Sequence, residues 1–225
     1  MSDLIFVTDG HKGYHEGKLW PSVTQVIRAA GLSRFNGVPE YNLEAARIRG
    51  KAVDKACEFI DKGLAFVWPS AEAERAYGGY VQGYRKFCAD YLYRSLLHQH
   101  IVHDHEREYW GILDTFGTVS FAALPGALKQ HVVPAPTFSG NSACFILIDR
   151  KTGPTGAETG LQLATYLRAL EFPGLPEPRG KFVLRITLKL NADETYDPPT
   201  PFTSPLDERV FVSALTCANW KERNP

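Results

Sequence analysis

The chain has 225 residues and balances 25 Lys and Arg against 25 Asp and Glu; 44% of it is hydrophobic and 22% charged, the composition of a globular domain. That excludes collagen, coiled coil, long disorder and a globally basic nucleic-acid coat, and no run approaches the ~18 apolar residues of a membrane span. Four scattered cysteines, Cys57, Cys88, Cys144 and Cys217, form no CxxC pair, so the expectation is free thiols in a reducing compartment, without zinc ribbon or iron–sulfur cluster.

At this length one elaborated domain is expected over 1–225. The first residues carry Asp3, Asp9 and Glu16 and no long apolar core, so neither a secretory signal nor a transit peptide is expected. Leu4–Val7, a turn at Asp9-Gly10 and Tyr14 to Trp20 read as a β-hairpin. Ser22 is an N-cap for a short helix closed by Gly31. Asn42 caps a longer helix to about Lys62, ended by Gly63, and Pro69-Ser70 opens a third to about Tyr93. Residues 1–95 are thus a hairpin plus a helical cover.

From 96 to 225 the texture changes to an α/β core. Residues 98–121 and 143–150 are strand-like, and Cys144-Phe-Ile-Leu-Ile-Asp149 is the continuous apolar run of a buried central strand. Pro125 to Asn141 reads as a loop. Thr159–Leu170 is a helix, Lys181–Leu190 a strand, Thr195-Tyr196 a short strand, and Ser204–Trp220 a last helix with Val210, Phe211, Ala214 and Leu215 inward. The fold class is α/β: a small central mixed sheet flanked by helices.

The densest polar signal is Ile148-Asp149-Arg150-Lys151-Thr152-Gly153. Residues two apart on a strand share a face, so Asp149 and Lys151 stand together where a buried strand surfaces. A carboxylate for a hard divalent cation beside an ammonium suits phosphodiester hydrolysis; read alone, the pair is a strand-edge ion pair. Asp114 ends another apolar run, with enough chain before Asp149 for a strand to return beside it, or else it forms a turn. Gln162 and Tyr166 share one face of the next helix. Asp54 and Glu58, four apart, are either metal-side carboxylates or a solvated helix face. His98, His100, His103 and His105 lack any zinc signature and read as an exposed strand and turn; Glu106 and Glu108 are possible further carboxylates. Tyr77, Tyr80, Tyr84, Phe87 and Tyr91 form a stripe read first as core and second as a base-stacking wall. Lys151-Thr-Gly matches a β-lactamase motif, but no Ser has Lys three residues later, and no phosphate-binding P-loop is present.

The order Gly-Ile-Leu-Asp114, Ile-Asp149-Arg-Lys151-Thr-Gly, Gln162-Leu-x-x-Tyr166 resembles the PD-(D/E)XK nuclease superfamily. It is most similar to the RecB-type branch of small phage exonucleases and the mitochondrial genome maintenance exonuclease. Pro21-Ser-Val-Thr24, Arg49-Gly50 and Asn219-Trp-Lys221 add to the likeness, which spans about residues 14–222. The resemblance implies a restriction-endonuclease-like core and a Mg²⁺- or Mn²⁺-dependent deoxyribonuclease, an exonuclease acting on single strands or DNA ends. Asp114, Asp149 and the Arg150 carbonyl would hold the metal, Lys151 would be catalytic with both aspartates, and Gln162 and Tyr166 would lie against DNA. Where the family has Arg-Gly-x-x-x-His, this chain has Asp54, expected to replace the histidine at the metal. The alternatives are a nuclease-like protein that only binds DNA and an endonuclease of the same fold. The expected setting is the cytoplasm of a bacterium or phage-infected cell, without membrane attachment.

Overall fold

The structure, a computed structural model, describes residues 5–7, 12–34, 38–132, 142–172, 175 and 182–224. The chain opens with three strands, β1 Ile5–Val7, β2 Lys12–His15 and β3 Lys18–Trp20, in an antiparallel sheet of order β1-β2-β3. The sequence predicts one hairpin here. A second turn at Glu16-Gly17, both at positive φ (50° and 78°), adds the third strand, because two such residues make the tight turn that matches strand twist. The predicted turn at Asp9-Gly10 lies outside the described residues. This small sheet is tied to the body by Trp110, whose indole N–H donates to the Trp20 carbonyl at 3.0 Å.

Helices α1 Val23–Ala29, α2 Glu40–Asp61 and α3 Ala71–Asp90 follow. Ser22 caps α1 in a reciprocal box with Gln25, and Ser70 caps α3, both as the sequence predicts. Helix α2 starts after Pro39 rather than at Asn42; proline's fixed φ favours a helix start. Next come β4 Arg94–Asp104, β5 Tyr109–Ser120, a short α4 Gly126–Lys129 inside the predicted loop, and β6 Ala143–Lys151. The rest are α5 Glu158–Ala169, β7 Val183–Lys189, β8 Thr200–Pro201 and α6 Asp207–Arg223. Thr195-Tyr196 forms no strand, only a bridge from Tyr196 to Leu190.

The main sheet has order β4-β5-β6-β7-β8 and is mixed: β6 and β7 are parallel, joined by α5, and the other pairs antiparallel. Both faces are covered, which explains the unbroken apolar run of β6. Cys144, Ile146 and Ile148 face Val53, Ala56 and Cys57 of α2 and Tyr84 and Phe87 of α3. Phe145 and Leu147 face α1, α5 and α6, through Val23, Leu163, Leu167, Phe211 and Leu215. The three N-terminal helices therefore do not form one cover: α1 sits on one face of the sheet, α2 and α3 on the other. In the aromatic stripe Tyr84, Phe87 and Tyr91 are core, while Tyr77 and Tyr80 are half-buried. Of the predicted inner face of α6, Val210 points outward and Phe211, Ala214 and Leu215 inward. Cys57, Cys88, Cys144 and Cys217 are free thiols. Among the described residues no helix is long and apolar enough to cross a membrane.

Candidate metal centre

Parallel sheets offer ligands the carboxyl ends of their strands, and the β6–β7 pair ends at Asp149–Lys151 and Thr187–Lys189. The β5–β6 ladder stops at Thr115↔Ile148, so the next pair in that register is Asp114 opposite Asp149. The β4–β5 ladder also omits Asp114: His98 pairs Thr115, His100 pairs Leu113, and Gln99 between them turns to φ 43°. Freed from both ladders, Asp114 uses its side chain, and the Arg150 backbone N–H donates to its Oδ2 at 2.8 Å. The N–H and C=O of one strand residue point to the same side, and neighbours alternate. Since the Lys151 carbonyl accepts from Leu190 on the β7 side, the Arg150 carbonyl faces the Asp114 side.

Asp149 and Lys151 lie on the α5 face. Lys151 Nζ donates to Asp149 Oδ1 at 3.0 Å. It also lies 2.9 Å from Oδ2, without the alignment of a hydrogen bond, and Oδ2 is buried with no hydrogen-bond partner among the described residues. Burial, then the charge of Asp114, pushes Asp149 up to about 6 against the pull of Lys151. Burial alone would lower Lys151, but Asp149 and Asp114 overturn it and hold the ammonium above its ordinary value. Tyr166 packs its ring on Gly111, where a Cβ would stand 2.3 Å from Cε1, so this position of β5 takes only glycine. Burial, then the charges of Asp114 and Asp149, push the Tyr166 hydroxyl well above its ordinary value, and it stays protonated beside them. Gln162, one helical turn earlier, is half-buried on the same face of α5.

Arg150 points the other way. Its side chain is 1% exposed, and Nη1 donates at 3.2 Å to Asp61, itself 2% exposed. Nε donates to Asp54 at 3.3 Å, and the guanidinium lies 5.1 Å from the Tyr84 ring centroid. The Tyr84 hydroxyl donates to the other oxygen of Asp61, Oδ1, at 2.5 Å, and the Thr115 hydroxyl to Oδ2, the oxygen Arg150 uses, at 3.3 Å. The sequence predicts only a carbonyl role for Arg150, leaves Asp61 unassigned and reads Tyr84 as one of the aromatic stripe. The available signal is the spacing of Asp54 and Asp61, seven residues or two helical turns, which puts both on one face of α2.

Asp54 keeps 31% of its side chain accessible at the rim, while protein crowds its other sides. Burial, followed by Asp114, pushes it up to about 7, with Arg150 opposing. It therefore senses the charges of Asp114, Asp149 and Lys151 while one oxygen is engaged by Arg150. Glu58 does not join it: hydrogen bonds from Lys55 and Lys62 hold Glu58 at about 2, out along the helix. Arg49 donates to Thr152 Oγ1 at 3.1 Å and lies over Tyr80, fastening α2 to the chain after Lys151.

Of the candidate histidines, His98 and His100 flank the Asp114 position on β4, and the other two lie elsewhere. His103 and His105 gather with His15 and Trp20, ring centroids 4.4 to 5.4 Å apart. Glu106 pairs with Arg107 and Arg168, and Glu108 with Lys18, so neither glutamate reaches Asp149. Among the described residues no three His, Cys, Asp or Glu side chains form a ready three-ligand metal cage.

The donor set nevertheless fits a hard cation of the magnesium type, which takes one or two carboxylates and keeps water in its other positions. Among the described residues, the only cations paired with Asp54, Asp61, Asp114 and Asp149 are Arg150 and Lys151, two cations for four carboxyl groups. Among the described residues no cation is paired with Asp114. A buried carboxylate with a single lysine, beside a second carboxylate that has no cation, is what such an ion would satisfy. No protein-family model matches this chain, and no curated protein matches it.

Proposed function

We propose that the chain is a divalent-metal-dependent deoxyribonuclease of PD-(D/E)XK type, acting as an exonuclease on single strands or DNA ends. The observation that carries this reading is the buried Asp149 carboxylate, set beside Asp114 with the Lys151 ammonium on the same strand face. Asp114, Asp149 and the Arg150 carbonyl are the groups that would hold Mg²⁺ or Mn²⁺, with the free oxygen of Asp54 at the rim. The cation supplies Lewis acidity and neutralises charge on the phosphodiester. Lys151, 31% exposed and pinned by Asp149, directs its ammonium toward charge that grows on the attacked phosphate. Asp149 holds that ammonium and keeps it protonated. Tyr166 closes the α5 side against water and offers a neutral hydroxyl to the substrate; Gln162 adds an amide on the same face.

The test is hydrolysis of end-labelled single-stranded DNA in Mg²⁺ or Mn²⁺, with EDTA and circular single-stranded DNA as controls. Metal-dependent shortening from an end, with the circle intact, is the expected result. A cut circle makes the enzyme an endonuclease. Binding without any hydrolysis supports the second reading, a DNA-binding protein, which the capture of Asp54 by Arg150 favours.

A further inference from the structure

The polar residues of the site continue across the sheet. Asp149 stands opposite Thr187 on β7, Thr187 opposite Thr200 on β8, and one position on, Lys151 stands opposite Lys189. Paired residues share a face, so this line runs from the reaction centre to the sheet edge on the side that carries Asp149. A cavity of about 390 Å³ opens there, lined by Gly153, Thr155, Thr187, Lys189, Asp197 and Thr200 among others. Thr187 is 2% exposed, and its Oγ1 is buried with no hydrogen-bond partner among the described residues. An unpaired buried hydroxyl in a β-strand is costly and seldom left without reason, and valine would fill that position as well. Lys189 is only partly buried and spends its ammonium on Asp197, at 2.7 Å, a pair exposed enough to exchange partners.

We infer that this cavity binds the phosphate next to the scissile one on the strand being cut. Thr187 Oγ1 donates to a non-bridging oxygen, and Lys189 releases Asp197 to pair with the same group. Neighbouring strands lie ~4.8 Å apart, so Thr187 and Thr200 stand roughly one and two strand widths from Asp149, the reach of one nucleotide step along an extended chain. A hydroxyl and an ammonium lining one cavity suit an anionic oxygen, and phosphate is the anion repeated along any nucleic-acid strand. The inference rests on the nuclease reading for the position of the scissile bond.

The experiment compares Thr187→Val and Thr187→Ser with the wild-type chain on single-stranded oligonucleotides. Binding is read by anisotropy in Ca²⁺, cleavage in Mn²⁺, and folding by thermal melting. Thr187→Val is expected to weaken binding and raise KM about tenfold, the size of one hydrogen bond to a charged group, while melting at the same or a higher temperature. Thr187→Ser should restore both. A neutral methylphosphonate at the neighbouring phosphate should cost the wild-type chain a similar factor and Thr187→Val almost nothing further. If Thr187→Val binds and cuts like wild type, the hydroxyl is a packing defect and the inference is overturned, while the nuclease reading stands. If the wild-type chain binds but never cuts, and Thr187→Val still binds tenfold more weakly, the cavity stands as a strand-binding site and the nuclease reading falls. A wild-type chain that neither binds nor cuts overturns both.

Discussion

Two neighbouring residues at the end of β6 meet opposite fates. Arg150 turns to the α2–α3 face, where Asp61 and Asp54 accept from two of its nitrogens, Tyr84 lies against the guanidinium and Thr115 reaches Asp61, while Nη2 has no hydrogen-bond partner among the described residues. Asp149 turns to the α5 face, where one lysine, 2.9 to 3.0 Å from both Asp149 oxygens, answers two crowded carboxylates. Each side sets two carboxylates against one cation, but the Arg150–Asp61 pair that holds α2 to the sheet is closed off from solvent, whereas behind it Lys151, 31% exposed, opens the other side to solvent. On the proposed function the closed side serves stability and the open side chemistry, and substitutions on the two should act with opposite signs.

The largest effect is expected on the closed side. Removing one partner of a buried pair leaves an uncompensated charge, at ~3–5 kcal/mol. Asp61→Ala should therefore lower the melting temperature by about 10 °C or more for a chain of this size, measured in EDTA. A loss under ~1 kcal/mol in urea denaturation would mean that Arg150 finds water and the network is not closed. Next comes Lys151→Ala, which should leave melting within a few degrees yet reduce cleavage by about 10²–10³, the cost of losing one preorganised charge, ~3–4 kcal/mol. Lys151→Arg should rescue poorly, because a planar fork does not replace a compact ammonium. Near-wild-type cleavage by the alanine variant makes Lys151 a simple ion-pair partner.

The open side was legible because its signal is local: Asp149 and Lys151 are two apart on one strand, and the apolar run before them fixes which strand is buried. The β5–β6 pairing that brings Asp114 beside Asp149 was also within reach, since each aspartate ends an apolar run. The closed side was not legible in the same way. Arg150 joins α2 and β6 across some ninety residues, and a charged residue inside an apolar strand gives no hint of its partner. Glu58 misled for the converse reason. Its spacing from Asp54 fits a shared face, but lysines three residues before it and four after hold it along the helix. The split of the N-terminal helices between the two sheet faces likewise depends on packing: the apolar stripes of α1 and of α2–α3 are alike, and only the available sheet face tells them apart. The extra strand at Lys18–Trp20 was missed because its turn uses Glu16, a residue type not favoured at positive φ.

A third, smaller effect reverses the sign of the first. Asp149→Asn removes a buried charge from a crowd of like charges, and should stabilise the protein by about 1–2 kcal/mol at pH 8 in EDTA while abolishing cleavage. The chemically matched Asp61→Asn should destabilise it. If both lower stability equally in urea titrations, the two sides of β6 are alike and the distinction between them fails.

The smallest expected effect concerns pH. Burial and mutual repulsion raise Asp149 from 3.8 to about 6 and Asp54 from 3.8 to about 7. A carboxyl raised in the folded state holds its proton there after the unfolded chain has lost it, so stability falls as pH rises between the two values. Here that window runs from about pH 4 to about pH 7. Without divalent cations the protein should therefore melt highest near the acid end of this window, acid unfolding from other groups setting the lower limit. A divalent cation must displace those protons, so it binds weakly at pH 5.5 and strongly at pH 8. At ten times its Kd it contributes about 1.4 kcal/mol, or ~3–6 °C of melting temperature for a chain of this size. Mn²⁺ should raise the melting temperature by that amount at pH 8 and by almost nothing at pH 5.5. Asp149→Asn should flatten both the pH slope and the Mn²⁺ effect. A Mn²⁺ effect equal at the two pH values, or unchanged in Asp149→Asn, would place the ion elsewhere and leave the open side of β6 without its cation.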